Sequence, residues 1–205
     1  MSTDINILFV NKSNDEDNSS VLVFMKPTES NFAAQSTAWQ VIDNIGYNCW
    51  HKFTYTLNTS LIVTWDGGKS GTFPMDTTNG KTYALKQTKG GFSLEENGNG
   101  KDPNEFDVTN KISVVSGISV VAFKDGNPIL TKNSVAKGEK AEFVFHPQIY
   151  FGLSSEHQVG DVVSSGVMSE EFKEVSLEGL KSVTVTLKGN AGDGFTFDIS
   201  DKVPA

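Results

Sequence analysis

Hydrophobic and polar residues alternate along this chain in short blocks, and a period of two predicts β-strands rather than helices. Val183, Val185 and Leu187 fall on one face, while Ser182, Thr184, Thr186 and Lys188 fall on the other. That is the pattern of a strand with one buried side. Runs rich in β-branched and aromatic residues predict strands at 6–10, 20–26, 51–65, 81–86, 91–95, 112–115, 118–123, 141–146, 149–151, 162–163, 182–188 and 195–199. The run 51–65 reads as a long aromatic hairpin. Residues 31–42 carry a helical stripe of Phe32, Gln35, Ala38, Trp39 and Ile42, which predicts a short helix or a loop leading into one.

The punctuation between these blocks is turn chemistry. Asp66-Gly67-Gly68, Asn79-Gly80, Lys89-Gly90-Gly91, Asp125-Gly126-Asn127-Pro128 and Gly189-Asn190 all tolerate positive φ or fix a reversal. Antiparallel hairpins should dominate, and the stretch 95–107 reads as a long hairpin loop. The expected fold is all-β: an antiparallel β-sandwich of many short strands with at most one or two short helical turns, forming a single domain over 1–205. At His146-Pro147 the proline cannot donate to a ladder, so the chain should change direction or sheet there while staying β.

Charge and cysteine content narrow the function classes. With 17 basic and 25 acidic residues the net charge is −8, and the basic residues are spread singly. An acidic chain without a basic stripe speaks against nucleic acid and anionic membranes as partners. No apolar run approaches the ~20 residues that span a bilayer. The first ten residues have no basic segment, apolar core and cleavage site in succession, so the expectation is a soluble protein, cytoplasmic or exported without a classical signal peptide. Cys49 is the single cysteine and, beside Trp50, is expected to be a small buried residue.

Motifs for catalysis fail on spacing. Gly67-Gly68-Lys69-Ser70-Gly71 ends like a phosphate-binding loop, but Val63 stands where that loop needs its first glycine, so it reads as a hairpin tip. The acids within 14–18 lack the alternate spacing of a calcium loop and read as a solvated hairpin loop. The sequons at Asn11, Asn18 and Asn58 mean little without a secretory route. Three histidines and one cysteine, all separate in sequence, select no zinc set and no nucleophile, acid and base arrangement. The expectation is a protein that is not an enzyme.

The aromatic residues carry the binding hypothesis. Trp39, Trp50, Tyr55, Trp65, Tyr150 and Phe151, together with His146, are the candidate ligand-binding residues, because flat ligands are held by aromatic walls with a few convergent polar groups. Each taken singly reads as core, and His146 as a corner histidine bonded to a backbone carbonyl. Asn11-Lys12-Ser13, Val21 to Lys26, Ala38-Trp39, Val63-Thr64-Trp65, Gly90-Gly91-Phe92 and His146-Pro147 with Tyr150 and Gly152 follow in order. This succession resembles the RhiA-like (rhizosphere-expressed protein) β family of bacteria and fungi, a group to which the fungal pink chromoprotein is similar.

The resemblance implies an intertwined antiparallel β-sandwich and, through the chromoprotein, a pocket for a small aromatic chromophore held with a divalent metal ion; it assigns no metal ligands. Two functions therefore stand as expectations. One is a non-enzymatic small-molecule-binding β-sandwich, a chromoprotein in its sharpest form. The other is a lectin-like or self-associating interaction protein with its aromatics on an outer face or at loop tips. The chain is expected to be a monomer or homodimer, the latter if an edge such as 183–187 pairs between chains.

Overall fold

The computed structural model describes residues 4–15, 19–26, 35–114, 116–163 and 172–205. Their architecture is all-β and dominated by antiparallel pairing, as the alternation predicts. Among them no helix is long and apolar enough to cross a membrane. The described residues divide into two compact units: the first draws on Met1–Met25, Ala38–Leu57 and Pro147–Ala205, the second on Lys26–Thr37 and Asn58–His146.

In the first unit one sheet is built from β1 (Ile5–Asn11), β4 (Trp50–Tyr55), β17 (Leu180–Asn190) and β18 (Gly194–Pro204), in the order β18-β17-β1-β4. The other is built from β2 (Ser20–Phe24), residues 38–42 of β3 (Gln35–Ile42), β14 (Gln148–Ser154) and β16 (Lys173–Ser176), in the order β16-β14-β2-β3, with β15 (Val162–Val163) beside β3. The two sheets face each other across an aromatic seam. Phe151 of β14 stacks on Phe9 of β1 at 6.4 Å and meets Phe53 of β4 at 6.3 Å and Phe197 of β18 at 6.0 Å. Trp39 of β3 packs edge-on against Phe53 and Tyr55, each at 5.8 Å. Such aromatic faces bury large apolar areas, and the unit is a β-sandwich.

The second unit repeats the principle with different strands. One sheet runs β13-β10-β8-β9, from β8 (Lys81–Thr88), β9 (Gly91–Asn99), β10 (Glu105–Asn110) and β13 (Lys140–Val144). The other runs β3-β12-β11-β5-β6, from β5 (Thr59–Trp65), β6 (Ser70–Gly71), β11 (Ile118–Lys124), β12 (Asn127–Val135) and the first residues of β3, where Gln35 and Ser36 pair with Thr131 and Leu130 of β12, with β7 (Met75–Thr77) beside β5. Leu61, Val63, Val120 and Ala122 are buried on one face of this sheet, and Leu85, Phe106, Val108 and Phe143 are buried in the other. Asn110 donates its side-chain amide to the Val135 carbonyl at 2.8 Å, tying the sheets together at one end.

Several sequence expectations need correction. The described part of the 31–42 stripe is strand β3; residues 31–34 lie outside the described residues. Ser36, Thr37, Ala38 and Trp39 are all buried, so both faces of the strand are covered and the period of two is erased. The run 51–65 is not a hairpin: β4 pairs with β1, whereas β5 pairs with β11. The stretch 95–107 is not a hairpin loop either. β9 continues to Asn99, and β10 runs parallel to β8 rather than pairing with β9. Residues 112–114 form no strand; Val115 lies outside the described residues.

β1 and β2 lie in different sheets, so Asn14 and Asp15 after β1 start no hairpin between them; residues 16–18 of the expected hairpin loop lie outside the described residues. β17 is not an edge, since it lies between β1 and β18. Cys49 is exposed: it closes a surface turn, its amide donating to the Gly46 carbonyl at 3.0 Å, just before the exposed Trp50. The expected change of sheet at Pro147 is present: β13 belongs to the second unit, and β14, which follows the proline, to the first.

Candidate functional site

The sequence-predicted site residues take up different places. Trp39 and Phe151 are fully buried and Tyr55 is 1% exposed; all three fill the seam of the first unit. Trp50, by contrast, is 60% exposed at the start of β4, with the Lys52 ammonium 4.9 Å from its ring centroid. Tyr150 stacks on Phe24 at 5.5 Å and donates its hydroxyl to Glu174 at 3.1 Å. Burial, with that contact, pushes the Tyr150 hydroxyl up to about 12. Trp65 and His146 belong to the second unit. His146 is exposed after β13, next to Phe145, which stacks on Phe106 at 5.7 Å. Trp65 is half-buried at the end of β5, edge-on to Phe92 at 5.4 Å.

Of these seven residues, Trp65 borders a groove. The groove lies over the outer face of the β12-β11-β5 sheet and encloses about 480 Å³. Its walls follow from strand pairing. Thr64 of β5 sits opposite Ser119 of β11, and Val121 of β11 sits opposite Thr131 of β12. These residues alternate with the buried Val63, Val120 and Ala122, so the pleat presents hydroxyls outward while the aliphatic side chains go to the core. Asn133 and Ser134 continue the row along β12, and Ser116 closes it from the turn before β11.

Backbone geometry shapes the ends of the groove. The turn Asp66–Gly68 after β5 runs through positive φ at Asp66, Gly67 and Gly68 (54°, 66° and 83°), a conformation suited to glycine. Thr72 fixes the returning strand: its amide donates to the Val63 carbonyl at 2.9 Å, and its hydroxyl accepts from the Val63 amide at 3.1 Å. At the other end Gly117 has φ of 71°, and a Cβ there would lie 2.8 Å from the Val135 carbonyl oxygen. Only glycine lets the turn lie this close to β12.

The groove's lining contains no charged side chain, although 20% of the chain is charged. Its hydroxyl and amide groups both donate and accept hydrogen bonds, and Val121 supplies an apolar patch of floor. Among the described residues no three His, Cys, Asp or Glu side chains form a group that could hold a metal ion. The Ser154 hydroxyl and His157 Nδ1 share a hydrogen bond of 2.6 Å, but three residues apart at the end of β14 this is a contact within a turn. Two lysines are buried on β11 and β12: Lys124 is 1% exposed, and Lys132 donates to the Glu142 carbonyl with its ammonium 5.2 Å from the Phe143 ring centroid.

Sequence reading found Trp65 and the glycine turn but missed Ser119, Thr131 and Asn133. Their available signal is the polar half of the alternation in β11 and β12, which binding arguments based on aromatics pass over. Searches against family models, curated proteins and solved structures find no significant match to this chain.

Proposed function

We propose that this chain is a non-enzymatic binding module of the lectin type that takes a neutral saccharide in the groove over β5, β11 and β12. The observation that carries this reading is the chemistry of the lining: Thr64, Ser116, Ser119, Thr131, Asn133 and Ser134 around Val121, with no ionic group. A polyhydroxylated neutral ligand needs partners that both donate and accept, and an apolar patch for its C–H face. The lining itself offers a charged ligand no counter-charge; Asp66 lies in the turn at one end. The flat-ligand reading has less support, because Trp39, Tyr55 and Phe151 spend their faces on one another and on the core.

The test is retention of the full chain on immobilised glycans, neutral and acidic, alongside Asn133→Ala and Thr131→Val. The reading expects retention by a neutral glycan and its loss in both variants. Retention on no glycan, or retention that both variants preserve, would sink it.

A further inference from the structure

A second groove, in the first unit, has a different chemistry. It encloses about 460 Å³ over the outer face of the β18-β17-β1-β4 sheet. Its floor is read directly from the register. Asn6 of β1 is flanked by Thr54 and Ser182, and Leu8 is flanked by Lys52 and Thr184. On the far strand Val203 pairs with Ser182, and the register slips between Ser182 and Thr184. Asp201 sits in that slip with φ of 48° and lines the groove. The order across the sheet is therefore a cation on β4, an apolar residue with amide and hydroxyl neighbours on β1 and β17, and an anion on β18.

Three strand spacings separate the Lys52 and Asp201 columns, roughly 14 Å. A peptide of about four residues, rising ~3.3 Å per residue when extended, has its charged ends that far apart. From this match of charge and length we infer that the groove binds a short zwitterionic peptide lying across the strands. Its carboxylate lies toward Lys52, its ammonium toward Asp201, and an apolar side chain rests on Leu8. Asn6, Thr54, Ser182 and Thr184 offer donors and acceptors for the peptide amides between the two ends. The Lys52 ammonium lies 4.9 Å from the Trp50 ring centroid, and among the described residues it makes no salt bridge. This site is separate from the saccharide groove in residues and ligand class, and it stands or falls independently of it.

The test is an amide NMR titration of the full chain with the tetrapeptide Ala-Leu-Ala-Ala, its N-acetyl form and its C-terminal amide. The free peptide is expected to shift the amides of Asn6, Leu8 and Thr184 and to bind at least about tenfold more tightly than either blocked form, a difference of ~1.4 kcal/mol. Lys52→Gln should abolish the preference for the free carboxylate, and Asp201→Asn the preference for the free ammonium. Asparagine tolerates the left-handed backbone at position 201, so the second variant keeps the fold. No shift of these amides at millimolar peptide, or equal affinity for all three forms, would overturn the inference.

Discussion

Gly117 and Val135 lie so close that a single methyl group could not be placed between them. The Cβ of any other residue at 117 would meet the Val135 carbonyl oxygen at 2.8 Å and the Ser134 carbonyl carbon at 2.9 Å, with φ already at 71°. Both obstacles are backbone, so no side-chain rotation relieves them. Gly117→Ala should destabilise the chain by about 1–3 kcal/mol through strain and a displaced turn. Urea denaturation measures it, and an unchanged midpoint would show that the turn is free to move.

The two tryptophans of the first unit should behave in opposite ways. Trp39→Ala opens a cavity in the aromatic seam and should cost ~3–5 kcal/mol. Trp50→Ala removes an exposed ring whose partner is Lys52, and should stay within ~0.5 kcal/mol of the parent. Chemical denaturation of both variants decides this. A large loss at Trp50 would mean that its ring supports the fold.

Much of the fold could be read from alternation, and the places where it could not share a cause. β17 shows a clean period of two because one face is buried and the other wet. β3 hides, because burial of Ser36 through Trp39 on both faces leaves a mixed run that imitates a helical stripe. β10 hides among Asn, Asp and Pro residues because its turn and strand share one polar stretch. In β12, Pro128 and the buried Lys132 break the pattern of the strand. Pairing is harder still: β4 and β5 are neighbours in the chain but pair with β1 and β11, a choice set by long-range contacts. The groove over β5, β11 and β12 is partly legible at Trp65 and the glycine turn. Ser119, Thr131 and Thr64 meet only after three strands find their register.

Alkaline stability should report Tyr150. Burial, then the contact with Glu174, raises its hydroxyl from 10.0 to about 12 in the folded chain. A raised folded value means that the group's contribution is complete below pH 10 and is lost as pH rises toward 12. Tyr150→Phe should therefore flatten the stability profile in that window. A profile identical to the parent's would contradict the assignment.

Lys124 should act with the opposite sign. Burial lowers its ammonium from 10.5 to about 8, partly offset by Asp125. A lowered folded value means that its contribution is present above pH 10.5 and is lost as pH falls toward 8. Replacing it with an apolar residue of similar length, Lys124→Met, should raise stability at neutral pH by about 1–3 kcal/mol and remove the rise between those values. Denaturation across pH 7–11 measures both effects, and a less stable variant at neutral pH would show that the ammonium is well satisfied where it lies.

Amide NMR with a neutral oligosaccharide decides whether the uncharged groove over β5, β11 and β12 takes the saccharide we propose for it. Weak binding, near ~1 mM or −4 kcal/mol, suits so open a groove. The expected shifts saturate, map to Thr64, Ser119, Thr131 and Asn133, and vanish in Asn133→Ala. Unshifted amides there at tens of millimolar sugar, or shifts confined to other strands, would contradict it.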